Sequence, residues 1–242
     1  MKSLLAAVAF MTRLPVGKAV VFDTADVTRS AAWFPLAGIL LGAIYSLAAF
    51  LLKGHLPLMV VAVLLVVLDA VTTGALHYDG LADTADGFGG GKSREDVLRI
   101  MRDHAIGSYG GTALAVLVAL KATAYAGVLS QDSWIAALIL PPALGRWSIL
   151  LLTATLPYAR SSASVVEGMG RRTLLVGSVI VAIALACTMS IRAWIAAGAV
   201  IAVTAAFGAY CRNRIAGITG DTLGANLQLC ETAALLTFLW TA

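Results

Sequence analysis

Residues 56–91 read LPLMVVAVLLVVLDAVTTGALHYDGLADTADGFGGG. Up to residue 76 the stretch is apolar apart from Asp69 and two threonines, and about 20 such residues cross a bilayer as a helix. From His77 to Gly91 it turns polar and glycine-rich, with Asp79, Asp83 and Asp86 spaced four and then three residues apart. On a helix turning about 100° per residue, those carboxylates fall within an arc of about 60°. Crowded carboxylates raise the cost of ionising one another, so such a cluster beside a membrane points to a divalent cation that offsets the repulsion. Oxygen-only ligands select Mg²⁺, Ca²⁺ or Mn²⁺ over zinc. A solvated acidic turn is the plainer alternative; the flanking glycines and the chain's poverty in charge weigh against it.

The whole chain has the same character. Of its 242 residues 60% are hydrophobic and 12% charged, and the mean hydropathy is +0.90. Soluble domains are about half apolar and about a quarter charged. The excess specifies an all-α polytopic membrane protein, a single integral membrane domain over residues 1–242. About seven spans are expected, at residues 33–52, 56–76, 109–129, 134–156, 173–191, 193–210 and 223–240. Gly38 and Gly42 form a small-xxx-small pair that lets another helix approach the first span. The N-terminal MKSLLAAVAF imitates a secretory signal, but Thr12, Arg13, Leu14 and Pro15 follow with no small-residue cleavage site. It is expected to remain as a short amphipathic or re-entrant segment.

A net charge of +4 and a pI near 9.1 do not imply nucleic acid, because the basic residues are scattered between apolar spans. They report orientation instead. With residues 77–108 in the cytoplasm and alternation from there, thirteen of the 17 Lys and Arg residues face inward. These are Lys2, Arg13, Lys18 and Arg29; Lys92, Arg94, Arg99 and Arg102; Arg160, Arg171 and Arg172; and Arg212 and Arg214. Only Lys53 and Arg192 face outward, with Lys121 and Arg146 inside spans. This predicts a cytoplasmic (inner) membrane protein with its N-terminus and polar connections inside. The connection 77–108 is then a cytoplasmic catalytic segment, and Glu167 lies in a second connection on the same side. The three cysteines, Cys187, Cys211 and Cys230, are far apart and odd in number, so no disulfide framework is expected.

Further candidates for chemistry follow from polar residues in apolar surroundings. Arg99 and Arg102, with Asp103 and His104, precede the third span, where guanidinium groups can pair with phosphates that a metal also contacts; orientation alone would also account for the arginines. Asp221 begins the last span as an N-cap or a functional acid. Glu231 lies about two turns deep, where a charge implies a partner or a cavity. Asp69 either extends the acidic face, being about 40° from Asp83 on a continuous helix, or is satisfied by Thr72, Thr73 or a neighbouring helix. Gly87–Gly91 reads as a hinge. There is no G-x-S-x-G and no Walker P-loop. What remains is metal-assisted chemistry on a phosphate-containing substrate at the membrane face.

These residues resemble a known family. HYDGLADTADGFGGG (77–91), REDVLRIMRD (94–103), IGSYG (106–110) and GITGDTLGA followed by Glu231, with TRLPV (12–16) and FPLAG (34–38), are similar to cobalamin synthase, adenosylcobinamide-GDP ribazoletransferase. His104 and Ala105 occupy a part of the pattern that often reads Ser-Arg. The resemblance implies a membrane-bound, Mg²⁺-dependent transferase. It would join α-ribazole, or its 5′-phosphate, to adenosylcobinamide-GDP with release of GMP. By that analogy Asp79, Asp83 and Asp86 bind metal. Asp103, Asp221 and Glu231 support the metal ligands, act as base or position substrate, and Arg99, Arg102 and His77 are the further binding residues expected. Which acid is the base does not follow from the sequence. The partners expected are the two substrates and the lipid bilayer, not nucleic acid, with a homo-oligomer left open. Two rivals have a basis in the residues: a CDP-alcohol phosphotransferase, disfavoured because Asp83 stands where that pattern has Arg, and a transporter with an ion path through Asp69, Lys121, Arg146 and Glu231.

Overall fold

The computed structural model describes residues 2–16, 24–160 and 169–240, so Lys18 and Glu167 lie outside the described residues. Among the described residues the chain is helical throughout, and its one extended feature is an isolated parallel bridge between Tyr158 and Ile218. The helices are α1 (Lys2–Met11), α2 (Thr24–Ser30), α3 (Phe34–Leu52), α4 (Leu58–Thr73), α5 (Leu76–Gly90), α6 (Arg94–Ile100), α7 (Ser108–Leu129), α8 (Trp134–Thr153), α9 (Arg171–Thr188), α10 (Ile191–Ile215) and α11 (Gly220–Thr237).

The all-α membrane architecture is the one expected. Among the described residues five helices are long and apolar enough to cross a bilayer, and six crossings result if α4 and α5 count as one bent span, against the seven expected. The difference lies in α11, where Asp221, Asn226, Gln228 and Glu231 dilute the hydropathy. That helix is sheltered by protein, with Asn226, Gln228 and Glu231 all buried, which is how polar side chains are accommodated at membrane depth. Lipid instead meets rows such as Leu175, Val179 and Ile183 of α9 and Val63, Val67 and Val71 of α4, all exposed.

α8 and α11 form the centre. α3 packs on α8, and α11 packs on α5, α8 and α10. The Gly38/Gly42 pair acts as expected: a Cβ on Gly42 would stand 2.5 Å from the Ile139 Cα of α8, so only glycine allows this backbone approach.

One turn decides where the site lies. α4 ends at Gly74, whose φ of +64° is left-handed, and Ala75 follows at φ 56°. Gly74 accepts that conformation at no steric cost, and Ala75 pays about 1–2 kcal/mol. Two successive left-handed residues swing α5 through 93° from the axis of α4. The Thr12–Val16 segment braces the turn, with the Arg13 N–H donating to the Thr72 carbonyl at 2.7 Å. With α4 upright, α5 lies across the end of the bundle and carries its aspartates along that face. Asp69 and Asp83 therefore do not share one continuous helix.

Candidate active site

The helix that the aspartate spacing requires forms as α5, Leu76–Gly90. Asp79 and Asp83 make no hydrogen bond or ion pair among the described residues, whereas Asp86 accepts from the N–H groups of Gly107 (2.7 Å) and Gly110 (2.9 Å). α7 opens on Gly107, which has no side chain to cap it; Asp86 supplies the cap from another helix and places its charge at the positive end of the α7 dipole. Asp221 joins the acids from the first turn of α11. Gly80 makes this possible, since a Cβ there would lie 2.8 Å from the Asp221 carbonyl oxygen and 3.2 Å from its Cα. The crowding is chemical as well as geometric. Partial burial, and then the charges of Asp79, Asp221 and Asp86, push the Asp83 carboxyl up to about 6, with Arg160 pulling the other way.

Arg160 is the cation of the site. Its Nη2 donates to Asp221 Oδ2 at 2.7 Å. The loop that carries it is pinned to the loop before α11: Ala159 N–H donates to Ile218 O at 2.8 Å and Ile218 N–H to Pro157 O at 2.9 Å. Arg94, at the start of α6, ties both loops together through Nε to Ile215 O (3.0 Å) and Nη2 to Ala159 O (2.7 Å). Arg214 likewise fastens the end of α5, donating to Phe88 O at 2.8 Å and Gly91 O at 2.7 Å. Arginines that the sequence reads as orientation signals are thus the clamps of the site.

Beside the acidic face opens a cavity of about 370 Å³, bordered by His77, Asp79 and Asp221. His77 is buried in its wall. The other expected residues lie elsewhere. Asp103 is exposed in the loop after α6, where Oδ1 accepts from the Ala105 N–H at 3.1 Å; it shares with Asp86 the rim of a second, shallow cavity. Arg99 is exposed and paired with Asp96 one turn away, and Arg102 is exposed. Neither bonds to the acidic face. Gly87–Gly91 is no hinge: α5 runs through Gly90, and a Cβ on Gly87 would stand 2.5 Å from Met101 and one on Gly91 2.5 Å from Val97. These glycines let α6 dock on α5.

Glu231 and Asp69 point into the bundle. The Lys121 Nζ, fully buried, donates to Asp69 Oδ2 (2.6 Å), Glu231 Oε1 (2.8 Å) and Gln228 Oε1 (3.1 Å). Tyr45 (2.8 Å) and Tyr78 (2.7 Å) donate to the two Asp69 oxygens, and Arg146 Nη1 lies 3.4 Å from Glu231 Oε2. Two cations and two carboxylates balance in this knot. Asp69 is satisfied by partners on other helices, and Thr72 and Thr73 donate to backbone carbonyls instead.

The fit to a cation is that of an open site. No three His, Cys, Asp or Glu side chains among the described residues are grouped to enclose a metal. Mg²⁺ characteristically takes one or two carboxylates and completes its shell with water and substrate phosphates, and the unpaired Asp79 and Asp83 offer that donor set. The close seam between α5 and α11 gives a direct test. Gly80→Ala forces α11 away from α5, and overpacking of this kind costs about 1–3 kcal/mol. The variant is expected to melt several degrees lower and to lose most of its activity, as read by thermal denaturation and turnover on one sample.

Fold and site together define an all-α polytopic membrane protein with a carboxylate-rich pocket at one end of the bundle. The family model for cobalamin-5-phosphate synthase matches residues 3–239, and the chain belongs to that family. Among its relatives are proteins named adenosylcobinamide-GDP ribazoletransferase. That of Rhizobium etli (strain CIAT 652) is 40% identical, with 95% of this chain and 93% of the relative aligned. That of Ralstonia nicotianae is 37% identical over 100% and 96%, and that of Syntrophobacter fumaroxidans 35% over 95% and 94%. No solved structure matches.

Proposed function

We propose that this chain is a Mg²⁺-dependent adenosylcobinamide-GDP ribazoletransferase of the cytoplasmic membrane, acting on its inner face. The observation that carries the reading is the convergence of Asp79, Asp83, Asp86 and Asp221 with Arg160, in a chain of this family. Asp79 and Asp83 hold the cation. When bound, Mg²⁺ neutralises charge on the diphosphate of adenosylcobinamide-GDP and on the departing GMP. Asp86 anchors α7 and keeps α5 in place. Asp221, held by Arg160 at the edge of the cavity, takes the proton of a ribose hydroxyl of α-ribazole or its 5′-phosphate. The hydroxyl oxygen forms a bond to the cobinamide-linked phosphorus, the P–O bond within the diphosphate breaks, and GMP leaves with that electron pair. The thirteen basic residues that alternation of the spans assigns to the inner side support its cytoplasmic placement.

The test is GMP release by purified protein in liposomes supplied with adenosylcobinamide-GDP and α-ribazole, with Mg²⁺ or with a chelator. Mg²⁺-dependent GMP release together with the cobalamin product is expected. A folded sample that makes no product with either form of ribazole would overturn the reading.

A further inference from the structure

The cavity beside the acidic face has a character of its own. Its lining joins the carboxylates of Asp79 and Asp221, with His77 and Tyr158, to the apolar Phe10, Phe34, Ile149 and Leu223 of α1, α3, α8 and α11. Phe10 and Phe34 lie nearly parallel, with ring centroids 5.8 Å apart and planes 8° apart. Phe34, Ile149 and Leu223 are buried, while Phe10 keeps 42% of its surface exposed. A reactive acidic edge joined to an aromatic, aliphatic chamber suits a ligand with one polar end and one flat apolar end.

We infer that this cavity holds the dimethylbenzimidazole base of α-ribazole, with its ribose directed to Asp221; the inference rests on the function proposed above. Size and polarity decide among the parts of the two substrates. The cavity of about 370 Å³ is at the lower end of small-molecule pockets, about 300–1,000 Å³, so it takes a bicyclic base with its sugar and not a corrin macrocycle. The wall formed by Phe10, Phe34, Ile149 and Leu223 offers the edge of guanine, with its several donors and acceptors, no hydrogen-bond partner; His77 and Tyr158 are the polar side chains that line the cavity besides the two acids. A dimethylated benzimidazole has an apolar edge, and its faces suit packing against aromatic rings. Position agrees, because Phe10, the exposed ring of the stacked pair, lines the same cavity as Asp79 and Asp221, so a base seated against it keeps its sugar within the cavity that those acids line. The N-terminal helix α1, too short to span, thereby gains a role as a wall of the nucleoside site.

The experiment uses the full chain in nanodiscs. Phe10→Ala removes the half-exposed ring with little effect on the core, and Phe10→Trp restores an aromatic wall. Steady-state KM is measured for each substrate, and α-ribazole binding is measured separately by equilibrium dialysis without turnover. In Phe10→Ala the KM and the Kd for α-ribazole are expected to rise about tenfold, the scale of one lost aromatic contact with its buried area. The KM for adenosylcobinamide-GDP should stay within twofold, and Phe10→Trp should recover most of the loss. A rise confined to adenosylcobinamide-GDP would assign the cavity to that substrate, and no change in either constant would leave the cavity outside the reaction; both overturn the inference. Failure of the parent reading looks different, because wild-type protein would then release no GMP. Dialysis still decides the inference in that case: α-ribazole bound by wild type and weakened in Phe10→Ala upholds the base site, and no binding by wild type overturns it.

Discussion

Asp83→Asn abolishes GMP release, by about 10²–10³-fold or more on the scale of removing one preorganised charge from a reacting centre, and leaves the protein folded. Asp83 sits between Asp79 and Asp86 on one helix face, across from Asp221, and spends its carboxylate on no protein partner. Its environment adds a second expectation that separates chemistry from folding. The folded carboxyl is raised from 3.8 to about 6, so it holds its proton more tightly folded than unfolded, and its ionisation opposes folding. That penalty is absent below about pH 4, grows between about pH 4 and 6, and is complete above. In metal-free protein at pH 7.5, Asp83→Asn should melt no lower than wild type and somewhat higher; near pH 4 the two should coincide. Mg²⁺ should raise the melting temperature of wild type at pH 7.5 and do little for the variant. An inactive variant that is also unfolded, or a folded one with near-normal turnover, would remove Asp83 from the metal site.

Lys121→Met is expected to damage the protein in the opposite manner, through stability first. The lysine is fully buried and is the shared partner of Asp69 and Glu231. Without it those two carboxylates lose their closest cation, and Arg146, 3.4 Å from Glu231, is the remaining one. Breaking a buried pair from one side costs about 3–5 kcal/mol, because the abandoned charge stays desolvated. The expected result is a large fall in melting temperature and in the yield of dispersed protein. Combining Lys121→Met with Asp69→Asn should recover part of that loss, since the double variant leaves fewer charges unpaired, and the coupling is read from a double-mutant cycle. Additive losses would mean that the pair in the structure is not the interaction that matters.

The same contrast explains what could be read before the structure was known. The spacing of Asp79, Asp83 and Asp86 determined an acidic helix face, because helical periodicity is a local property that three or four residues suffice to express. The apolar excess determined a helical membrane protein, and the Gly38/Gly42 pair announced the close helix contact that α3 makes with α8. The partners of Asp69, Glu231 and Arg160 were not legible in that way. Asp69 had two readings, an extension of the acidic face or a residue satisfied by a neighbour, and two left-handed residues, Gly74 and Ala75, decided for the second by breaking the helix and turning α5 through 93°. Ala75 gives no sign in sequence that it will adopt that conformation. Glu231 meets Lys121 across 110 positions of chain, and Arg160 meets Asp221 across 61; such partners depend on which helices pack together. Sequence by itself determined the class of the protein and the acids on α5. The meeting of Asp221 with the acids of α5, the cation beside it, and the separation of a structural charge knot from the reactive face were decided only by tertiary packing, because an ion pair is set by distance in space, which local periodicity does not encode.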